Sequence, residues 1–225
     1  MAITITILGA SGKMGTQIHQ LALKDPQLHV ICIARRSKSP ESDHDLMSSL
    51  ACCDVAIDFT AHEATARHLE AAMQGKKPLV IGTTGHTPEM VRAIEEAAKT
   101  IPILFSPNFS FGIALCLEAA ARFARALNET CSVEIIETHH IHKKDKPSGT
   151  ALAFAKAIGQ EIAIHSIRSG EVIGEHLIIF ECGHERIELK HTAHSRDAFA
   201  AGALMGAKFL AKQPPGLYSL KDLFA

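Results

Sequence analysis

Along the first half of the chain the spacing of apolar residues keeps switching between a period of two and a helical period. Residues 3–8 are apolar and β-branched and predict a strand; glycines follow, and residues 13–24 carry a helical pattern. The same alternation then predicts a strand at 28–34, a short helix at 43–50, and a buried strand at 55–59. An Ala-, Glu- and Leu-rich helix at 61–74 is stopped by Gly75, and a short strand at 79–81 ends at Gly82. A helix at 87–99, with Pro88 in its first turn, leads to a strand at 101–105 that Pro107 stops. Strands alternating with helices through short turns predict a Rossmann-like, doubly wound parallel sheet. Ligands of such sheets bind beyond the carboxyl ends of the strands. That directs attention to segments 9–15, 34–36, 59–60, 82–85 and 106–109.

The second half has another rhythm. A long Ala-rich helix at 111–127 precedes a strand at 133–139, a polar loop at 140–148 and a helix at 149–158. Strand candidates at 162–168, 176–181 and 186–192 are separated by turns at 169–170 and 182–185, and residues 197–210 are again helical. A Pro214-Pro215-Gly216 turn leads into a short tail. The expected class is α/β: the parallel sheet plus a smaller α+β domain with a mostly antiparallel or mixed sheet. Its expected boundaries are 1–108 with 197–225 for a discontinuous first domain, and 109–196 for the second.

Composition narrows the function classes. The 225 residues are 47% hydrophobic with a formal net charge of -1, so no basic excess points to nucleic acid. No apolar run is long enough for a membrane span, and Met1 leads directly into a strand, so no secretory leader is expected. Cys32, Cys52, Cys53, Cys116, Cys131 and Cys182 form no C-x-x-C pair and several sit in apolar runs. They are read as reduced, small hydrophobes of a cytoplasmic protein.

The first turn reads Gly9-Ala10-Ser11-Gly12-Lys13-Met14-Gly15, with glycines at i, i+3 and i+6 between a strand and a helix. A turn of that kind is tight, lets backbone approach a pyrophosphate, and aims a helix N-terminus at it. The end of the second strand, where an acid ordinarily holds the ribose hydroxyls, is Arg35-Arg36. Two guanidinium groups favour a 2′-phosphate, so NADPH is the expected cofactor, with NADH second.

Residues 137–150 are the most informative stretch. They hold His139, His140, His142, Lys143, Lys144 and Lys146, then Pro147-Ser148-Gly149-Thr150 opening a helix. A helix N-terminus beside several cations suits a carboxylate, and a histidine there can move a proton near neutral pH. Three neighbouring lysines repel a cation and no cysteine lies nearby, so no metal is assigned.

The pattern E-x-H-H-x-x-K-x-D-x-P-S-G-T-A over these residues resembles that of the dihydrodipicolinate reductase family. The likeness extends over nearly the whole chain: the turn at 9–14, Asp58-Phe59-Thr60, Ile81-Gly82-Thr83-Thr84-Gly85, Ser106-Pro107-Asn108-Phe109-Ser110, Gly174-Glu175-His176 and Ser195-Arg196. The resemblance implies a nicotinamide-dependent reduction of 4-hydroxy-tetrahydrodipicolinate to tetrahydrodipicolinate, in lysine and diaminopimelate biosynthesis. It implies His139 as general acid and Lys143 as substrate contact and second proton donor. His140, Ser148, Gly149 and Thr150 would hold the dicarboxylate substrate. Gly9, Ala10, Ser11, Gly12, Lys13, Met14, Arg35, Arg36, Phe59, Gly82, Thr83, Thr84, Ser106, Pro107, Asn108 and Phe109 would hold the cofactor. It further implies a homotetramer built through the second domain's sheet.

The chain departs from the pattern in length: the stretches between Arg36 and Asp54 and between Ile164 and Gly174 are compressed, and Ala61 stands where a basic residue is common. Two rival readings share the glycine turn. A dehydrogenase of aspartate semialdehyde or homoserine leaves the His-His-Lys loop unexplained and lacks a nucleophilic cysteine past a strand. A catalytically silent NADPH-binding sensor fits less well with His139 and Lys143 both present.

Overall fold

A computed structural model describes residues 2–34, 41–127 and 131–224 of the chain. In chain order the elements are β1 (Ile3–Leu8), α1 (Lys13–Ala22), β2 (Leu28–Ala34), α2 (Glu41–Ala51), β3 (Val55–Asp58), α3 (Thr65–Gly75), β4 (Leu79–Ile81), α4 (Pro88–Ala97) and β5 (Pro102–Phe105). Then come α5 (Phe111–Leu127), β6 (Ser132–His139), α6 (Gly149–Ile158), β7 (Ala163–Arg168), β8 (Gly174–Glu181), β9 (Arg186–Ala193), α7 (Asp197–Leu210) and β10 (Gly216–Tyr218). Contacts divide the chain into two compact units, Met1–Ser110 with Phe199–Ala225, and Phe111–Ala198.

The first unit is built on a six-stranded sheet in the order β10-β5-β4-β3-β1-β2, with every pair parallel. Ile5, Ile7, Val55, Ile57, Val80 and Ile103 are wholly buried in it. Each such side chain contributes roughly 1.5–3 kcal/mol by leaving water. Local chemistry sets the helix starts. Thr87 caps α4 by accepting from the Met90 N–H at 3.3 Å, and Pro88 occupies the first helical position, where no amide hydrogen is needed. Helical pattern at 61–74 resolves into a 3-10 turn at His62–Ala64 followed by α3. The segment read as a tail supplies a sixth strand, β10, paired with β5 from Gly216↔Pro102 to Tyr218↔Leu104. Three residues carry too little periodicity to announce a strand; pairing at the sheet edge makes it one.

The second unit has a four-stranded sheet in the order β7-β6-β8-β9. β6 and β7 are parallel, joined by α6 as crossover, and the other pairs are antiparallel. Helices α5 and α6 pack together on one face around Ile113, Ala120, Val133, Ile135, Phe154, Ile178 and Phe180. Ser148 caps α6 by accepting from the Ala151 N–H at 3.1 Å, and Gly159 ends it in the left-handed conformation. Among the described residues no helix is long and apolar enough to cross a membrane.

One cysteine expectation is overturned. Cys131 and Cys182 form a disulfide rather than standing as reduced hydrophobes, with Cα atoms 4.2 Å apart. The antiparallel register pairs Ser132 with Glu181, which brings the two cysteines just outside them face to face across β6 and β8. Their sequence separation of 51 hides this from motif reading. Closing a loop of that length constrains the unfolded chain by roughly 2–4 kcal/mol. Cys131→Ser with Cys182→Ser is therefore expected to lower the urea midpoint under non-reducing conditions, and dithiothreitol to lower that of the wild type alone. An identical midpoint for all three would show that the bond does not form in solution.

Candidate functional site

The sequence-selected residues fall at two places, one in each unit. In the first unit they lie past the carboxyl ends of the neighbouring strands β1, β3, β4 and β5. The turn 9–15 closes through a Gly12 N–H to Gly9 carbonyl bond of 2.9 Å, with Gly9 at φ +82°. A Cβ on Gly15 would sit 2.2 Å from the Gly9 carbonyl oxygen, so only glycine lets α1 start this close to the turn. Gly12 caps α1 without a side-chain bond, which leaves the first amides of the helix, at Lys13 and Met14, available to an anion. This fits a cofactor pyrophosphate, with Ala10 buried and Ser11 exposed on the turn.

The next two loops are tied by one buried carboxylate. Asp58, the last residue of β3, is 0% exposed. Its Oδ1 accepts from the Thr60 N–H at 3.0 Å, the Thr60 hydroxyl at 2.6 Å and the Thr83 hydroxyl at 3.2 Å. Its Oδ2 meets His68 Nδ1 at 2.9 Å. His68, which no sequence motif singles out, is thus the α3 partner that holds this corner. Phe59 lies over Gly82, where a Cβ would come within 2.1 Å of the ring, and stacks edge-on against buried Phe109 with ring centroids 5.3 Å apart. Thr84 is exposed just beyond. Past β5, the Ser106 hydroxyl donates to the Asn108 carbonyl at 2.6 Å and Asn108 Oδ1 accepts from the Ser110 N–H at 2.8 Å, with Pro107 exposed between them. Arg35 and Arg36 lie outside the described residues.

In the second unit, strand alternation builds a polar layer at one end of an apolar face. Along β6 the inward residues are Val133, Ile135, Glu137 and His139, and along β8 they are Gly174, His176, Ile178 and Phe180. Register sets Glu137 beside His176 and, in β7, beside Ser166; His139 is paired with Arg168, and His176 with His191 in β9. Glu137 is 0% exposed and its Oε2 accepts from His139 Nδ1. Arg168 donates to both oxygens, at 3.0 and 2.8 Å, and the Ser148 N–H donates to Oε1 at 3.2 Å. Arg168 also donates to the carbonyls of Lys143 at 3.3 Å and Asp145 at 2.5 Å, which fastens the 140–148 loop to the sheet. Neither Glu137 nor Arg168 was among the sequence-selected residues. The identity E-x-H at a strand end was the available signal, since i and i+2 share a face.

The electrostatics follow from burial and neighbours. Burial alone would raise Glu137, but Arg168, Ser166 and His139 outweigh it and hold its carboxyl down at about 2. Burial lowers His139, with Glu137 pulling the other way. His176 is 3% exposed; burial first, then the charge of His139, pushes it down to about 3. It is neutral, 3.4 Å from the Ser148 hydroxyl, and its Nδ1 has no partner among the described residues. Lys143 Nζ pairs with Asp145 at 2.9 Å. Gly149 is exposed at the start of α6, where its amide donates to the Asp145 carboxylate, and Thr150 follows half-buried. His140 is half-buried, its ring centroid 6.2 Å from that of His142.

Comparison with known proteins gives one consistent result. Residues 3–109 match the family model described as "Dihydrodipicolinate reductase, N-terminus", and residues 112–224 match "Dihydrodipicolinate reductase, C-terminus". A protein of Caldanaerobacter subterraneus named 4-hydroxy-tetrahydrodipicolinate reductase is 39% identical, covering 99% of this chain and 98% of that protein. One of the same name from Anaeromyxobacter dehalogenans is 38% identical, covering 97% of this chain and 96% of its own length. That alignment runs over 261 positions against the 225 residues here, so this chain carries internal gaps. Among solved structures, a dipicolinate-bound dihydrodipicolinate reductase from Paenisporosarcina sp. TG-14 shares the fold, with a TM-score of 0.84 at 24% identity over 99% of each chain.

The buried histidine makes acid sensitivity a test of this layer. His176 is lowered on folding and Glu137 is lowered too, so both lose stabilisation as pH falls: His176 from its ordinary value near 6.5 toward about 3, Glu137 from near 4.5 toward about 2. The urea midpoint is expected to decline from pH 7 to pH 5, and His176→Asn to flatten that decline. A wild-type midpoint independent of pH over this range would show that His176 is not buried neutral.

Proposed function

This chain belongs to the dihydrodipicolinate reductase family, oxidoreductases of lysine and diaminopimelate biosynthesis, and on that premise we propose that it reduces 4-hydroxy-tetrahydrodipicolinate to tetrahydrodipicolinate with NADPH. The observation that carries the proposal is the pairing of a helix start, Ser148 to Thr150, whose Gly149 amide already meets the Asp145 carboxylate, with a buried, carboxylate-held histidine at the end of the preceding strand, the two joined through Glu137. The solved relative of the same fold holds dipicolinate, a planar dicarboxylate. One substrate carboxylate would take the amides of Gly149 and Thr150 and the other Lys143, displacing Asp145, whose carboxylate meets both Lys143 and the Gly149 amide.

A bound nicotinamide supplies a hydride. The residues past β1, β3, β4 and β5 would hold it, with the turn 9–14 on its pyrophosphate and Phe59, Gly82, Thr83, Thr84 and 106–109 toward its reactive end. Substrate loses its 4-hydroxyl as water, gains the hydride, and leaves an enamine-like carbon that needs a proton. His139 delivers it from Nε2, Nδ1 being committed to Glu137. Lys143 and the α6 amides offset the charge that accumulates. NADPH is preferred over NADH because Arg35-Arg36 replaces the ordinary ribose-binding acid. A silent sensor of the same fold has no feature in its favour.

The chain is proposed to be a homotetramer joined through the uncovered face of the second unit's sheet, where Ala163, His165 and Ile167 of β7 are exposed. Cytoplasm is the proposed compartment, since a biosynthetic reductase draws on the pool of reduced nicotinamide; a reducing pool there works against the Cys131–Cys182 bond.

The test is NADPH oxidation in an assay where pyruvate, aspartate semialdehyde and the preceding synthase generate substrate. Synthase-dependent oxidation, faster with NADPH than NADH, is expected, from a species whose light-scattering mass is four chains. His139→Gln should lower kcat roughly 10²–10⁴-fold with KM little changed, and Lys143→Ala should impair both. No turnover by folded protein would overturn the reaction; equal rates with both cofactors would overturn the arginine argument alone.

A further inference from the structure

His139 has two ring nitrogens, and the surroundings treat them differently. Nδ1 donates to Glu137, which lies inward on the same strand face two residues earlier. The Nε2 side faces Gly174, opposite in β8, where even a methyl group would lie 3.1 Å away. Glu137 in turn has no freedom to choose other partners. Arg168 grips both of its oxygens from β7, and the Ser148 amide takes the remaining lone pair on Oε1. Ser148 is the cap of α6, so that amide fixes where the helix start points.

We propose that Glu137 is the positioning residue of the site, one oxygen holding His139 with its proton on Nδ1 and Nε2 clear to act, the other holding the α6 N-terminus, with Arg168 keeping both oxygens in place. This rests on the reading of His139 as the proton donor. A single carboxylate then sets the spacing between the acid and the carboxylate-binding amides, which proximity effects make worth a large factor in rate. A charged partner on Nδ1 also stabilises the imidazolium that must exist before the proton is given away. The charged and titratable groups facing His139 are Glu137 on its own strand, Arg168 from β7, His176 from β8 with His191 of β9 behind it, and Lys143 from the loop. Glu137 is the one anion among them. Removing its charge leaves only cations and neutral rings, so the histidine gives up its proton at lower pH.

Glu137→Gln is the sharpest variant, because the amide keeps the size but presents one acceptor oxygen in place of two. In the synthase-coupled assay kcat is expected to fall about 100-fold, and the pH at which activity declines on the alkaline side should move lower by at least one unit. KM for the substrate should rise, since the helix start loses its anchor, while NADPH binding followed by fluorescence stays unchanged and reports an intact first unit. Arg168→Lys should keep the wild-type pH limb within a few tenths of a unit, and Arg168→Met should shift it as Glu137→Gln does. A separate readout needs no activity. Long-range 1H–15N spectra of histidine-labelled wild-type protein should show neutral His139 protonated on Nδ1. If Glu137→Gln does not fold, that spectrum alone decides: a proton on Nε2 overturns the proposal. A folded Glu137→Gln enzyme with unmoved pH limb and kcat within twofold of wild type also overturns it. Failure of the underlying reaction would look different, as a wild-type enzyme that oxidises no NADPH.

Discussion

A carboxylate taken out of water costs several kcal/mol unless donors replace its hydration. Glu137 is 0% exposed, and it is surrounded by His139 Nδ1, both Arg168 Nη groups and the Ser148 amide. Those donors come from β6, β7 and the start of α6, so satisfying one buried charge orders three elements at once. Arg168 then reaches past the carboxylate to two carbonyls of the 140–148 loop, and the loop acquires a defined path without secondary structure of its own. A hydrophobic residue at position 137 would suit the apolar stripe of Val133 and Ile135 better, but it would leave Arg168 buried without a counter-charge.

The first unit repeats the device in another chemistry. Asp58 ends β3 as Glu137 nearly ends β6, and it too is fully buried and surrounded. Its partners are the hydroxyls of Thr60 and Thr83 and the ring of His68, so the loops after β3 and β4 are held in register with α3. In each unit a short acid at a strand end converts adjacent loops into one rigid surface. The backbone amides of the glycine turn and of the α6 start, proposed to bind ligand, then need no side chain of their own to fix them.

Much of this was legible from residues alone. The parallel sheet followed from strand and helix periods, and the His-His-Lys loop with Pro147-Ser148-Gly149-Thr150 marked the segment that borders the polar layer around Glu137. What stayed hidden shares a cause: it depends on register between distant segments. Arg168 is 31 positions from Glu137, His176 is 28 from Ser148, and Cys182 is 51 from Cys131. None of these distances leaves a local pattern. β10 was missed for the related reason that a three-residue edge strand exists only through its neighbour β5. His68 leaves no local signal either, because a histidine in a helix is ordinarily surface and only the fold brings Asp58 against it.

A planar dicarboxylate is proposed to sit in the polar layer around Glu137. Titration of isotopically labelled, NADPH-saturated protein with dipicolinate, followed by amide and histidine NMR, addresses it directly. The amides of Gly149 and Thr150 and the ring of His139 are expected to shift together along one binding curve. Saturable shifts confined to other residues, with these three unmoved, would contradict it.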